Sequence, residues 1–287
     1  MKIAVLPNST RDKSYKYTMR IIDILTSLDV EIFMLSDHKK SLGNTGVSFL
    51  NAISQVVERC DISITVGGDG TITHAAKYAV LAEKPILGVN LGRIGFTATL
   101  EKNELQKLKL LVKEEYFVNH RAMIAASVIY RENGKNCEEI FYALNDIVIS
   151  QAEVVKISDF TLRYNDEDFH YRSDGLIFST PTGSTAYSLS AGGPVIDPEM
   201  SCILFSQICP YSVCQKAIVF SNKSELLIRA HALKVDGRLL VIADGRIVCE
   251  FSEREIIKIR ISDKYLKLIS FERQNFYSGF KKKFSAF

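Results

Sequence analysis

The sequence lacks several features that would place it in a functional class at once. It has no apolar run approaching the ~18 residues that a membrane-spanning helix needs. Its opening, Met1–Pro7, stops far short of a signal-peptide core and has no small-residue cleavage site. Its charge is nearly balanced, with 36 Lys and Arg against 33 Asp and Glu, whereas a dedicated polyanion binder is usually strongly basic. We therefore expect a cytoplasmic protein whose partners are neither membranes nor nucleic acid.

Cysteine and histidine are too scattered to indicate a metal site. The six cysteines form no Cys-x-x-Cys pair, and the five histidines form no His-x-His or His-Glu-x-x-His motif. These spacings argue against a zinc ribbon, a thioredoxin-like redox site and a histidine-built metal centre. A chain of 287 residues can bury a sizeable core without disulfides, so we expect reduced thiols.

What the sequence does contain is a change of pattern near residue 118. Before it, short apolar runs such as Ile62–Val66 alternate with segments of helical spacing such as Ile72–Ala82 and Glu101–Lys113. After it, β-branched residues and turn signals such as Asp244-Gly245 recur to about Ile261. We predict an α/β domain with a parallel sheet over 1–118 and a β-rich domain over 119–268. A final amphipathic helix is expected within 269–287.

The first candidate site is Gly67-Gly68-Asp69-Gly70-Thr71, where a predicted strand gives way to a predicted helix. Glycines let the backbone approach a ligand closely, and the free N–H groups at a helix start favour an anion such as phosphate. A carboxylate in such a loop is useful if Asp69 holds Mg²⁺ or takes a proton from an attacking hydroxyl. The alternative is a glycine turn with a helix-capping Asp.

A second glycine-flanked segment, Gly92-Arg93-Ile94-Gly95-Phe96, follows the next predicted strand. Because parallel strands end at a common edge of their sheet, we expect this segment beside Gly67–Gly70. There Arg93 could offer a charge and Phe96 a stacking face to a ligand. The alternative is a loop that tucks Phe96 into the core.

The dipeptide Asn145-Asp146 lies at the junction of two predicted strands. Adjacent side chains of these types can hold a ribose diol, because a carboxylate accepts hydrogen bonds from hydroxyls and an amide both donates and accepts. A simple turn is the alternative interpretation of so short a motif.

The densest polar stretch begins at Arg172-Ser173-Asp174 and ends at Pro194. A buried strand leads into Ser179-Thr180-Pro181-Thr182-Gly183-Ser184-Thr185-Ala186-Tyr187, whose hydroxyls and main-chain amides could line a polar pocket. Tyr187 could form an aromatic wall, and Ser190 lies about one helical turn further on. The segment is not a nucleophile elbow, since it lacks the second glycine of that motif.

These four segments together resemble the NAD kinase family, in their order along the chain and in their separations. The Ser179–Tyr187 segment is specific, whereas the Gly67–Thr71 loop is shared with lipid kinases and phosphofructokinases. The resemblance covers nearly the whole chain. It implies a two-domain fold in which the last helix returns to the first domain. It also implies phosphoryl transfer from ATP to the 2′-hydroxyl of the adenosine ribose of NAD, giving NADP.

The resemblance further implies individual roles. Asp69 would be the general base on the 2′-hydroxyl, and Mg²⁺ or another divalent metal would arrive with ATP. Members of the family form homodimers and homotetramers. The phosphate loop would consist of Gly67, Gly68, Gly70 and Thr71. The residues implied to bind NAD are Asp69, Gly70, Phe96, Asn145, Asp146, Lys156, Arg172, Asp174, Thr182, Thr185, Ala186, Tyr187, Ser188, Ser190 and Arg246.

Several positions depart from the usual pattern of the family. Asp146 stands where many members have Glu, Tyr211 stands where His commonly follows Pro, and Lys216-Ala217 replaces a frequent Arg-Pro. These departures affect details of the second domain and leave Asp69 and Thr180–Tyr187 unchanged.

Two other functions use the same motifs. A lipid or sugar kinase could share the glycine-rich loop, but the Ser179–Tyr187 segment and the lack of a long apolar stretch argue against it. A non-catalytic dinucleotide sensor could keep the pocket, but binding alone does not need the Asp69 carboxylate among phosphates. ATP and inorganic polyphosphate both remain open as the phosphate donor.

Overall fold

The structure is a computed structural model of the chain. It describes residues 1–43, 45–92, 95–132, 135–152, 157–212, 216–231, 238–273 and 276–284. Two predicted ligand residues, Lys156 and Arg93, lie outside the described residues. The chain divides into two compact units, which are Met1–Arg121 with Lys264–Phe287 (unit 1) and Ala122–Asp263 (unit 2).

Helices and strands are numbered along the chain. The α-helices are α1 (Lys16–Thr26), α2 (Lys39–Leu42), α3 (Ile53–Arg59), α4 (Asp69–Leu81), α5 (Lys109–Val112), α6 (Tyr187–Ser190) and α7 (Phe276–Phe284). The strands are β1 (Lys2–Pro7), β2 (Glu31–Leu35), β3 (Ser48–Leu50), β4 (Ile62–Gly67), β5 (Ile86–Asn90), β6 (Leu100–Glu101), β7 (Phe117–Glu132), β8 (Lys135–Ala143), β9 (Asp146–Gln151), β10 (Ser158–Tyr164), β11 (Glu167–Ser173), β12 (Gly175–Ser179), β13 (Cys202–Ile208), β14 (Ile218–Ser221), β15 (Leu226–His231), β16 (Leu239–Ala243), β17 (Arg246–Phe251) and β18 (Ile256–Ser270).

Unit 1 is built on a parallel sheet in the order β5-β4-β1-β2-β3. Every residue of β4 and β5 is buried, which is why these strands are continuous apolar runs in the sequence. Helix α1 buries Ile21, Ile22 and Leu25, which share one helical face, against this sheet core. Because β4 and β5 are parallel neighbours, the segments that follow them meet at the same sheet edge.

One helix predicted in unit 1 differs in the structure. The segment Glu101–Lys113 was predicted as a continuous helix, but it contains a 3₁₀ turn at Leu105–Leu108 followed by the single turn of α5. Leu105, Leu108 and Leu111 are all buried nonetheless. Their spacing of three residues also matches the 3.0 residues per turn of a 3₁₀ helix, so the pattern alone did not separate the two.

Unit 2 contains a six-stranded antiparallel sheet in the order β14-β13-β12-β9-β16-β17. A second set of strands, β11-β10-β15, is also antiparallel. Alternate residues of both sets, such as Phe160 and Leu162 on β10 and Phe178 on β12, are buried in one hydrophobic cluster. The predicted class, an α/β domain followed by a β-rich domain, is confirmed.

Two further observations concern the described residues only. None of their helices combines the length and the apolar character that a membrane crossing requires. The cysteines among them, Cys60, Cys137, Cys202, Cys209 and Cys249, are free thiols.

Candidate functional site

The glycine-rich segment of unit 1 joins the end of β4 to the start of α4. A Cβ on Gly67 would lie 2.2 Å from Thr71 Oγ1, so the close approach of these residues requires glycine. Asn8, which follows the neighbouring strand β1, donates from Nδ2 to the same hydroxyl at 3.4 Å. No motif marks Asn8 in the sequence. Only its place directly after a parallel strand could have indicated it.

The Asp69 carboxylate is fixed by the loop that follows β5. Its Oδ1 accepts hydrogen bonds from Thr97 N at 3.1 Å, Thr97 Oγ1 at 2.8 Å and Ala98 N at 3.1 Å. Its Oδ2 accepts one bond, from Phe96 N at 2.8 Å. The expectation that the two glycine-flanked segments meet at one edge is therefore confirmed. With one donor among the described residues, Oδ2 keeps capacity to accept a hydrogen bond from a ligand hydroxyl.

Gly95 is required for this contact. A Cβ there would stand 2.2 Å from Asp69 Oδ1 and 2.7 Å from Asp69 Cγ, which would force the carboxylate to move. Phe96 is half-buried, and its ring centroid lies 5.8 Å from that of Phe276 on α7. Its ring is therefore not tucked into the fully buried core, which was the alternative interpretation.

In unit 2, three strand ends meet around Asn145-Asp146. Central strand β9 begins at Asp146, which pairs with Ser179 at the end of β12. On its other side, Ile147 pairs with Ala243 at the end of β16, so the next residue, Asp244, faces Asp146. The dipeptide thus lies between two neighbouring strands rather than in a free turn.

The backbone of residues 144–146 is hydrogen-bonded on both sides. Its three consecutive N–H groups donate to the Asp244 carboxylate, at 2.8, 2.7 and 3.4 Å. On the carbonyl side, Thr180 Oγ1 donates to Leu144 O at 2.6 Å, and Thr180 N donates to Asn145 O at 2.9 Å. Few backbone torsions can change here without breaking a hydrogen bond.

The segment after β12 packs directly on Asn145. A Cβ on Gly183 would lie 2.0 Å from Asn145 O, so only glycine allows this approach. The hydroxyls of Ser184 and Ser188 are fully buried and bind the protein itself, at Pro181 O (2.7 Å) and Ser206 Oγ (3.0 Å). The Ser188 hydroxyl therefore connects α6 to β13. Ser188 is not among the ligand contacts that we propose.

The remaining side chains of this segment differ in exposure. Tyr187 is 44% exposed, and Ser190 is also exposed. Thr185 and Ala186 are half-buried, while Thr182 is buried. Tyr187 and Ser190 are therefore more exposed than Thr182, Thr185 and Ala186.

The carboxyl groups of Asp146, which is buried, and Asp244, which is half-buried, lie close enough to interact. Burial, and then the charge of Asp244, raises the pKa of Asp146 to about 7, against a hydrogen bond from the Tyr187 N–H that favours the ionised form. Burial also raises the pKa of Asp244 to about 6, although the N–H groups of residues 144–146 and the charge of Arg246 favour its ionisation. Ionising either carboxyl group in the folded chain therefore costs free energy.

Two of the three remaining predicted ligand residues, Arg172 and Asp174, lie elsewhere on unit 2, whereas the charge of Arg246 acts on Asp244. Arg172 forms a two-point ion pair with Asp159, at 2.7 and 2.8 Å, and lines a pocket of about 380 Å³ with Tyr211. Asp174 N donates to Ile208 O at 3.0 Å. Arg246 is exposed at the start of β17. The described contacts do not join Arg172 or Asp174 to Asn145-Asp146.

The carboxyl groups of Asp146 and Asp244 predict an unusual dependence of stability on pH. The pKa of Asp146 is about 7 in the folded chain, above its ordinary value, so the wild type should lose stability as pH rises from 4 to 8. Asp146→Asn keeps the acceptor for the Tyr187 N–H but cannot ionise. We expect it to raise Tm by roughly 5 °C at pH 8 and by less at pH 5, measured by calorimetry.

The matched control is Asp23→Asn, at an exposed position of α1, which should leave Tm nearly unchanged at both pH values. A Tm increase for Asp146→Asn that is the same at pH 5 and pH 8 would contradict the assignment of a raised pKa to Asp146.

Comparison with known proteins shows the family to which this chain belongs. Residues 3–116 match the model of the ATP-NAD kinase N-terminal domain, and residues 144–271 match that of the ATP-NAD kinase C-terminal domain. The NAD kinase of Caldicellulosiruptor saccharolyticus is 32% identical over 286 residues, which cover 99% of each chain. The NAD kinase of Sulfurimonas denitrificans is 33% identical over 263 residues, covering 91% of this chain and 88% of the relative.

Solved structures agree in fold. An NAD kinase from Archaeoglobus fulgidus in complex with ATP has a TM-score of 0.76 and 25% identity, with 100% of both chains covered. Yeast NADH kinase complexed with NADH has a TM-score of 0.88 over 100% of this chain and 88% of that chain. At 20% identity, this second likeness concerns the fold alone. The resemblance found in the sequence is confirmed, and the chain belongs to the NAD kinase family.

Proposed function

We propose that this chain is an NAD kinase, which transfers a phosphoryl group from ATP to the 2′-hydroxyl of the adenosine ribose of NAD and so forms NADP. The observation that carries the proposal is the Asp69 carboxylate, held by four donors beside a glycine-rich segment. Relatives of nearly the same length that are named NAD kinase support it. The lipid-kinase alternative is not favoured, because both family domains match.

In the proposed reaction, Asp69 Oδ2 accepts the hydrogen of the 2′-hydroxyl. As the hydroxyl oxygen bonds to the γ-phosphorus, its proton passes to Asp69, the bond from the γ-phosphorus to the bridging oxygen breaks, and ADP leaves. The three donors on Oδ1 keep the carboxylate in one orientation throughout. This chain's contribution is therefore orientation and proton acceptance.

A divalent cation, Mg²⁺ in the first instance, would enter with the triphosphate and neutralise its charge. The described residues contain no group of three or more His, Cys, Asp or Glu side chains arranged to hold a metal. We propose that the ligands of this cation would come mainly from phosphate and water, with Asp69 as its carboxylate neighbour. The main chain of Gly67, Gly68, Gly70 and Thr71 would face the phosphates.

For NAD itself, we propose that Asn145 and Asp146 hold the ribose that does not react. Phe96 would border the adenosine. Other contacts would come from Thr182, Thr185, Ala186, Tyr187 and Ser190, with Arg172, Asp174, Arg246 and Lys156 as further predicted contacts. By the same resemblance, we propose a cytoplasmic homodimer or homotetramer.

The function is tested by incubating the purified chain with Mg-ATP and NAD and measuring NADP. We expect NADP to form, with no phosphorylation of diacylglycerol, sphingoid bases or fructose 6-phosphate. Turnover of any of these three without turnover of NAD would reject the assignment. Replacing ATP by polyphosphate in the same assay identifies the donor.

Asp69→Asn tests the proton acceptor. The substitution keeps the size of the side chain but removes the basic oxygen, so we expect kcat to fall by ~10²–10⁴-fold, with KM for NAD changed far less. Thr97→Val is the matched control, since it removes one donor to Oδ1 and leaves the carboxylate in place. It should cost much less in kcat. If kcat of Asp69→Asn stays within a few-fold of wild type, Asp69 serves only to hold the loop.

Asp146→Ala tests the ribose contact. A hydrogen bond to a charged group is worth roughly 1.5–3 kcal/mol, so KM for NAD should rise by ~10–150-fold at pH 8, where Asp146 is ionised. This contact lies away from the reacting hydroxyl, so kcat and KM for ATP should barely change. Asp146→Asn should raise KM for NAD by less, because the amide oxygen still accepts a hydrogen bond. A rise in KM for ATP without one for NAD would show that Asn145-Asp146 is placed on the wrong substrate.

A further inference from the structure

We propose that Asp244 is a positioning residue for NAD binding, which sets the orientation of Asn145 and Asp146 through their backbone. The inference rests on the proposed function, because it assumes that these two residues hold NAD. Asp244 itself would touch neither substrate. It would act only through the three N–H groups that its carboxylate accepts.

The geometry singles out this carboxylate. One side chain accepts hydrogen bonds from three successive residues that lie about 100 positions away in the sequence, the nearest at 2.7 and 2.8 Å. Asp244 N also donates to Asp146 O at 3.0 Å. Asp244 thus binds the peptide groups on both sides of the Asp146 Cα, which fixes the direction in which that side chain leaves the backbone.

The turn that presents Asp244 is tight and specialised. Asp244 and Gly245 join β16 to β17, and their φ angles are +49° and +75°. Two left-handed residues are typical of a type I′ hairpin turn, in which Asp is one of the few non-glycine residues tolerated. The turn places the side chain back toward the strand end at Asp146, which is the residue opposite in the ladder.

A carboxylate suits this task better than other polar groups. Its two oxygens accept up to four hydrogen bonds and donate none, so it can satisfy three N–H groups at once. Asn offers a single acceptor oxygen and sets an N–H₂ group against one of the donors. The Asp244 charge also lies close to a second carboxyl group, the buried Asp146, and two such charges are costly to hold together away from water. A function at residues 145 and 146 explains why the chain has a carboxyl group at both Asp146 and Asp244.

Steady-state kinetics of Asp244→Asn and Asp244→Ala, with each substrate varied in turn, test the proposal. We expect KM for NAD to rise by ~5–30-fold for Asn and by more for Ala, with kcat and KM for ATP within about threefold of wild type. KM does not depend on the fraction of folded enzyme, so partial unfolding of either variant cannot produce this pattern. Tm of each variant is recorded alongside.

The matched control is Asn165→Ala. Asn165 occupies the corresponding position of another hairpin turn, between β10 and β11, with the same φ of +49°. This variant removes a side chain in the left-handed conformation from a turn of the β11-β10-β15 strand set, whereas β9, which begins at Asp146, belongs to the six-stranded sheet. We expect a similar or smaller change in Tm and no change in KM for NAD. A rise in KM for NAD in this control equal to that of Asp244→Ala would overturn the proposal.

A triple variant, Asn145→Ala and Asp146→Ala with Asp244→Asn, separates action through the dipeptide from a direct contact. If Asp244 acts through the dipeptide, its loss adds little once both side chains are gone, so its effect on KM and theirs should be far from multiplicative. Fully multiplicative effects, or a normal KM for NAD in Asp244→Asn, would reject the positioning role. The proposed function fails separately, if wild-type enzyme makes no NADP or if Asp146→Ala leaves KM for NAD unchanged.

Discussion

Both candidate sites depend on the same interaction, in which a carboxylate accepts hydrogen bonds from successive backbone N–H groups. Asp69 accepts from Phe96, Thr97 and Ala98, and Asp244 accepts from residues 144–146. Hydrogen bonds to an ionised group are roughly twice as strong as neutral ones, so each carboxylate fixes a loop that propensity alone would leave variable. Glycines complete the arrangement, since Gly95 and Gly183 permit approaches that any Cβ would prevent.

This arrangement has an energetic cost that a purely structural design would avoid. Burial and mutual repulsion raise the pKa of Asp146 to about 7, so near neutral pH the folded chain holds a carboxylate that resists ionisation. Uncharged residues of similar shape would make the same strands more stable. A group retained at such a cost is expected where a ligand uses its charge, and a ribose diol, with two donors, is such a ligand. If Asp146 binds NAD as we propose, folding stability favours an uncharged residue at this position, whereas substrate binding favours the carboxylate.

The sequence predicted the fold class well because its strongest signals are local. Buried parallel strands such as Ile62–Gly67 are continuous apolar runs, and β10 alternates with period two. The prediction of one continuous α-helix over Glu101–Lys113 was wrong, because a spacing of three residues fits both an α-helix and a 3₁₀ helix. Asp69 and Asn145-Asp146 could be selected from motifs. Asp244-Gly245 resembles a late Asp-Gly motif of the family, but its hydrogen bonds to residues 144–146 could not be predicted. Neither could the bond from Thr97 to Asp69, because sheet order and register bring these groups together.

Asn145 and Asp146, which we propose bind NAD, are held in one backbone conformation before the ligand arrives. A crystal structure of this chain with bound NAD tests it most directly. The account predicts that the backbone of residues 144–146 keeps its bonds to Asp244 and lies within ~1 Å of its ligand-free position, as in preorganised sites. It also predicts ribose hydroxyls within hydrogen-bond distance of the Asn145 and Asp146 side chains. A structure in which this segment leaves Asp244, or in which no ribose contacts either side chain, would contradict the account.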